Sequence, residues 1–165
     1  MVLEEFNAAS EIDLVVAMRR CLDIDRWREE IVGARPYRSR EQLLEKARRA
    51  AAPFSADEIA GALAHHPRIG DRVTGGDAES SLSRSEQAPL GAADRSVTDA
   101  IRAGNRAYEA RFGRVFLIRA AGRSAKEILE ALQVRLRHSA DEEAPIVEQQ
   151  LREIAVLRLE GMVGE

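Results

Sequence analysis

Reactive side chains are scarce in this 165-residue chain, which has one cysteine, three histidines and an aromatic fraction of 4%. A single cysteine, Cys21, excludes an intramolecular disulfide and a cysteine-rich zinc site. Its helical spacing from Leu14 and Met18 favours a core position over a catalytic thiol. No apolar run approaches the roughly 18 residues of a membrane span. Acid/base chemistry by a histidine and a carboxylate is therefore the simplest catalytic option that remains.

The chain also lacks an excess of either charge. Its 25 Lys and Arg residues and 28 Asp and Glu residues give a net charge of −3. Because nucleic acid binding requires a concentrated basic surface, we expect no nucleic acid partner. The N-terminal residues lack the basic start and apolar stretch of a signal peptide, so we expect a cytoplasmic location and no membrane partner.

Helix-start signals recur along the chain and predict an all-α fold. In a capping box, a Ser oxygen and a Glu or Gln side chain three residues later satisfy backbone N–H groups at a helix N-terminus. Such pairs begin at Ser39, Ser55, Ser124 and Ser139. Ser10 and Asp94 or Ser96 are further predicted caps, and Gly113 is a predicted left-handed helix end. We expect a single compact multi-helix domain over residues 1–165.

Two segments break the helical pattern. Residues 70–91 have the composition of a loop with a short helix inside it. Val115-Phe116-Leu117-Ile118 is a short apolar run between two glycines, and it predicts one irregular extended segment near residues 114–120. With no second strand to pair with, its backbone donors and acceptors need other partners, of which a bound polar ligand is one.

His66 is the candidate acid/base group, because it stands directly before Pro67 at the end of a predicted helix. Proline cannot continue the helix, so His66 marks the exit, and a cap is the alternative role. His65 is expected at the surface or in a supporting position behind the catalytic group. A metal-dependent hydrolase using His65, His66, Asp71 or Asp77 is a rival, although adjacent histidines on a helix diverge by about 100 degrees and cannot readily share one ion.

Glu86 is the candidate carboxylate, and it has two interpretations. Ser83-Arg84-Ser85-Glu86 is itself a capping-box pattern, so Glu86 can simply begin a short helix. A helix N-terminus in a loop also suits an anionic substrate, and Gln87 adds an amide that both donates and accepts. Both interpretations stay open.

Arg158 is unusual because it continues an apolar stripe of the last predicted helix, formed by Val147, Leu151 and Ile154. An arginine there either extends to the edge of the core or binds a buried anion. Trp27, in contrast, is predicted to be a packing anchor.

Together these residues resemble the 2-oxo-4-hydroxy-4-carboxy-5-ureidoimidazoline (OHCU) decarboxylase family. The resemblance covers nearly the whole chain in the expected order, through Trp27, Ala34-Arg35-Pro36, His66-Pro67-Arg68-Ile69-Gly70, Ser83-x-x-Glu86-Gln87, Gly91, Phe112-Gly113, Phe116-Leu117-Ile118 and Arg158-Leu159. It implies an all-helical single domain, often dimeric, that decarboxylates OHCU stereospecifically to (S)-allantoin in the last step of uric acid degradation.

The resemblance also implies the roles of individual residues. The catalytic histidine of the family corresponds to His66 and its substrate-orienting glutamate to Glu86. Substrate-binding positions correspond to Pro67, Ser83, Gln87, the backbone around Phe116 and Ile118, and Arg158. The family resemblance implies a small-molecule substrate, a homodimer and no metal or organic cofactor. The alternative is a non-catalytic helical interaction module, in which His66 and Glu86 are only caps.

Overall fold

The computed structural model describes residues 1–64, 66–70, 85–88, 90 and 93–164. This part of the chain contains eight α-helices and no β-strand. The helices are α1 (Leu3–Ala8), α2 (Glu11–Met18), α3 (Asp25–Gly33), α4 (Arg40–Arg49), α5 (Ala56–Leu63), α6 (Arg95–Phe112), α7 (Ala125–Arg135) and α8 (Ala140–Met162). The predicted all-α fold is confirmed.

The predicted caps are where the sequence signals place them. At the start of α7, Ser124 Oγ accepts from the Glu127 amide at 3.2 Å, while the Ser124 amide donates to the Glu127 carboxylate at 2.6 Å. The same oxygen-to-amide bond begins the helices that follow Ser10, Ser39, Ser55 and Ser139. Asp94 caps α6, and Gly113 ends that helix with a φ of +68°. These caps set the helix boundaries because they satisfy N–H groups that have no partner within the helix.

The chain forms two compact units, Met1–Ala62 with Arg152–Glu165, and Leu63–Leu151. In the first unit, Trp27 is fully buried and its indole N–H donates to the Ala47 carbonyl at 2.9 Å. Cys21 is buried too, with its Sγ 4.0 Å from the Met162 Sδ. The predicted core roles of Trp27 and Cys21 are therefore confirmed. The single domain predicted over residues 1–165 stays a prediction.

The second unit is built on the packing of α6 against α7, which enclose one apolar core. Residues 115–120 adopt no regular secondary structure, so the predicted irregular segment is confirmed. Its side chains enter the core, which contains Ile69, Leu90, Ile101, Tyr108, Phe116, Ile118, Ala120, Ala125, Ile128 and Leu132. The core thus joins the loop after α5, residue 90 and the irregular segment. No candidate for a membrane-spanning helix occurs in the described part of the chain.

Candidate active site

His66 lies just beyond the end of α5. Its backbone N–H donates to the Leu63 carbonyl at 3.0 Å, which closes a final turn before Pro67. Because proline has no N–H and disfavours helical geometry before it, the helix ends here. The side chains of His66 and Pro67 are half-buried. The exit predicted from the sequence is confirmed, and it presents an imidazole at the start of an irregular loop.

Gln87 ties the loop after His66 to the segment that contains Glu86. Its Oε1 accepts from the Gly70 N–H at 3.0 Å, and its Nε2 lies at 3.4 Å from the Arg68 carbonyl oxygen. Gly70 has a φ of +84°, a conformation that L-residues rarely adopt. The two motifs that carry the candidate imidazole and the candidate carboxylate are therefore joined directly by a side chain.

The same loop is also bound to α6. The Asn105 side chain is buried, and its Nδ2 donates to the Ile69 carbonyl at 2.7 Å. Arg68 forms a two-point ion pair with Glu109 through N–O distances of 2.5 and 3.0 Å. The hydrogen bond from Arg68 lowers the pKa of the Glu109 carboxyl and outweighs the opposing effect of burial. Asn105 and Glu109 are one turn apart, so α6 holds two successive residues of the loop.

Glu86 lies in a short helical turn and is half-buried. The turn agrees with the short helix predicted inside residues 70–91. Ser83, the predicted partner in a capping box and a predicted substrate-binding residue, lies outside the described residues. So do His65, Asp71 and Asp77, on which the metal-dependent rival depends. In the described part of the chain, no three His, Cys, Asp or Glu side chains are grouped to bind a metal ion.

Phe116 and Ile118 direct their side chains into the core of the second unit, where both are buried. Only their backbone groups are left to contact a ligand. On either side of Ile118 the backbone is held by side chains: the Leu117 carbonyl accepts from Arg135 at 2.6 Å, and the Arg119 N–H donates to Gln150 at 2.9 Å. Two of the partners that the irregular segment requires are therefore polar side chains of the protein.

Arg158 is 4% exposed, so it does not extend from the apolar stripe into solvent. Its Nη1 lies 3.3 Å from the Arg20 carbonyl oxygen. The stripe itself is confirmed, because Val147, Leu151 and Ile154 are buried. Arg158 belongs to the first unit. The other described candidates, His66, Pro67, Glu86, Gln87, Phe116 and Ile118, belong to the second unit.

A buried polar network in the second unit was not found from the sequence. Glu143 is fully buried, and its carboxylate accepts from Tyr108 Oη at 2.6 Å and from Arg135 Nε at 2.6 Å. The other oxygen of Glu143 lies 3.0 Å from His138 Nδ1. A signal was present, because Glu143 precedes Val147 by four residues and so lies on the same apolar stripe as Arg158.

The network shifts the pKa values of Glu143 and Tyr108. Burial raises the pKa of Glu143, but hydrogen bonds from Arg135, Tyr108 and His138 outweigh it and leave that pKa below its ordinary value. Burial, together with the hydrogen bond to Glu143, raises the pKa of Tyr108 to about 12. Glu143 is therefore a carboxylate at neutral pH, and Arg135 is its buried counter-ion.

The sequence profile of OHCU decarboxylase matches residues 7–160, which is nearly the whole chain. The chain belongs to the OHCU decarboxylase family. It is thus a carboxy-lyase, and the reaction of its family is decarboxylation to allantoin in uric acid degradation. A curated relative, the 2-oxo-4-hydroxy-4-carboxy-5-ureidoimidazoline decarboxylase of Haloferax volcanii, is 26% identical over 160 residues, or 96% of this chain and 94% of the relative.

Two solved structures share the fold of this OHCU decarboxylase family member. One is an OHCU decarboxylase crystallised in the presence of (S)-allantoin, with a TM-score of 0.73 at 20% identity, covering 95% of this chain and 100% of that one. The other is an (S)-allantoin synthase, with a TM-score of 0.72 at 15% identity, covering 99% of this chain and 54% of that one. At these identities the likeness establishes the helical fold.

Proposed function

We propose that this carboxy-lyase converts OHCU to (S)-allantoin stereospecifically, without a metal or organic cofactor, and that His66 and Glu86 are its catalytic residues. The observation that carries the proposal is the hydrogen bond between Gln87 Oε1 and the Gly70 N–H, which joins the two motifs at 3.0 Å. This bond supports the proposal because it connects the loop that follows His66 to the turn that contains Glu86, both in the second unit.

The substrate can supply its own electron sink. Its carboxylate and hydroxyl share one carbon, next to the ureido-bearing carbon and its ring C=N bond, so breaking the carbon–carboxylate bond releases carbon dioxide and leaves the electron pair delocalised onto that C=N group as an enolate-like species. A proton then adds to the ureido-bearing carbon, and the hydroxyl gives up its proton to become the ring carbonyl of allantoin. The protein has to steady the developing negative charge and deliver that proton to one face. His66 is the proton donor and acceptor that sets the handedness of the product.

The remaining residues orient the substrate. Glu86 accepts from the ureido N–H groups, and Gln87 donates through Nε2, whose bond to the Arg68 carbonyl is long at 3.4 Å. Arg158 supplies a buried guanidinium, whose planar fork suits substrate oxygens. Pro67, Ser83 and the backbone of Phe116 and Ile118 complete the proposed site.

We also propose that the protein is a homodimer and that it is cytoplasmic. Light scattering of the purified protein, which measures its mass in solution, tests the homodimer.

The deciding experiment is circular dichroism of the product formed from freshly generated OHCU in the presence of excess chelator. We expect a rapid (S)-allantoin signal from the wild type. His66→Ala should lose about 10²- to 10⁴-fold in rate, which is typical of removing a general acid/base group, and free imidazole should restore part of it. Slow formation of optically silent product by folded wild-type protein would refute this function. It would favour the alternative, a non-catalytic helical interaction module.

Glu86→Gln separates catalysis from capping. Glutamine serves in capping boxes, so a capping role predicts normal turnover with a small loss of stability. Substrate orientation predicts impaired turnover in a normally folded variant. Glu127→Gln is the matched control, because Glu127 forms an observed capping box with Ser124. Equal turnover in the two variants would remove Glu86 from the catalytic residues.

A further inference from the structure

The irregular segment is held at the two peptide units that flank Ile118. Arg135 Nη1 donates to the Leu117 carbonyl at 2.6 Å, and Gln150 Oε1 accepts from the Arg119 N–H at 2.9 Å. Within the described part of the chain, the N–H and the carbonyl of Ile118 itself make no backbone hydrogen bond. The Ile118 N–H and carbonyl therefore lie between two backbone groups that side chains hold in place.

Peptide geometry converts these two bonds into directions. In a planar trans peptide the C=O and N–H groups point to opposite sides. Because the Leu117 carbonyl points at Arg135, the Ile118 N–H in the same peptide unit points away from Arg135. Because the Arg119 N–H points at Gln150, the Ile118 carbonyl points away from Gln150. Each side chain thus determines the direction of one polar group of Ile118.

The two side chains are themselves immobilised. Arg135 is 5% exposed, its Nε donates to the buried Glu143 carboxylate, and its guanidinium lies 4.6 Å from the centre of the Phe116 ring. Gln150 is 8% exposed. Glu143 and Gln150 are seven residues apart, so both project from the same face of α8. A rigid pair of side chains on α7 and α8 therefore orients the segment.

We propose that Arg135 and Gln150 are positioning residues that aim the backbone N–H and carbonyl of Ile118 at the substrate. This inference rests on the proposed function, in which the backbone of the segment binds OHCU. Neither side chain needs to touch the substrate. Their contribution is to keep one donor and one acceptor preorganised, so that binding costs no rearrangement of the segment.

Gln150→Met tests the inference, because methionine has a similar volume but lacks a comparable acceptor. We expect KM for OHCU to rise about 3- to 10-fold, the worth of one hydrogen bond, with kcat within about threefold of wild type. The dissociation constant of (S)-allantoin, measured by calorimetry, should rise by the same factor. Gln150→Glu keeps an acceptor oxygen and should restore KM to within about twofold. Ile128→Val, a core change on α7, controls for lost stability alone and should leave KM unchanged.

The outcomes separate this inference from the proposed function. An active wild type whose KM and allantoin affinity are unaffected by Gln150→Met would overturn the positioning role and leave the function intact. An equal KM rise in Ile128→Val would also overturn it, since stability would then explain the effect. A wild type that forms no optically active product would instead refute the function. If Gln150→Met does not fold, Arg135→Lys carries the same test, because it keeps the buried charge and removes the planar fork.

Discussion

Replacing Glu143 should destabilise the second unit more than any exposed charge change. Glu143 is fully buried and accepts from Arg135 and Tyr108, both at 2.6 Å. In Glu143→Leu the Arg135 guanidinium stays buried without its counter-ion. Removing one partner of a buried ion pair costs about 3–5 kcal/mol. At about 2–4 °C per kcal/mol for a chain of this size, Tm should fall by about 6–20 °C.

The double variant Arg135→Met with Glu143→Leu shows whether the loss comes from the unpaired charge. Replacing a buried ion pair by apolar residues is often close to neutral, so the double variant should recover at least about 1 kcal/mol relative to Glu143→Leu. Urea denaturation of the wild type, both single variants and the double variant closes the cycle. A loss below about 1 kcal/mol in Glu143→Leu, or losses that simply add, would refute the reasoning.

Acid titration provides a second measurement of the same carboxylate. Hydrogen bonds outweigh burial and hold the pKa of Glu143 below its ordinary value of 4.5. A depressed folded-state pKa supplies stability that is fully present above the unfolded value and is lost as the pH falls through the folded value. Glu143→Gln cannot titrate there, so its stability should depend less on pH below about 4.5 than that of the wild type.

Two smaller predictions concern helix packing and acid stability. A Cβ at Gly104 would overlap the buried Leu132 side chain, whose Cγ would be 3.0 Å away, so Gly104→Ala should lose about 1 kcal/mol despite better helix propensity. A Cβ at Gly61 would have no described atom within 4 Å, so Gly61→Ala should raise the free energy of unfolding by about 0.5–1 kcal/mol. Urea denaturation in which Gly104→Ala is the more stable of the two variants would contradict this. The hydrogen bond from Arg26 lowers the pKa of Glu58 to about 2, so this pair stabilises the fold above the ordinary value of 4.5 and loses its effect between pH 4.5 and 2. Because the pair is partly exposed, Glu58→Gln should remove only about 1 kcal/mol of that acid-dependent stability. Melting temperatures that fall equally in the variant and the wild type over this pH range would contradict the role of the pair.

The caps show what a sequence can predict by itself. Ser124 and Glu127 satisfy each other's backbone groups across three residues, so the interaction is complete within the segment that contains it. The end of α6 at Gly113 and the exit of α5 at His66 follow in the same way from local backbone chemistry. The predicted helices and the irregular segment between α6 and α7 are therefore confirmed.

Other contacts depended on the packing of distant segments. Tyr108 bonds Glu143 across 35 residues, and Asn105 holds the Ile69 carbonyl across 36 residues. Gln87 accepts a hydrogen bond from the Gly70 backbone 17 residues away, a contact that the sequence did not predict, and its substrate-binding role stays a prediction. No periodic pattern specifies which buried donor meets which acceptor, because that choice is made by the approach of helices that are remote in sequence.

The sequence by itself determined the helices, their caps, the family and the candidate catalytic pair, because each of these depends on short-range chemistry or on motifs read in order. Only the tertiary structure decided that Arg135, Glu143 and Gln150 share one buried region around the irregular segment. Burial turns ordinary surface residue types into a fixed polar framework, since charges removed from water must find partners.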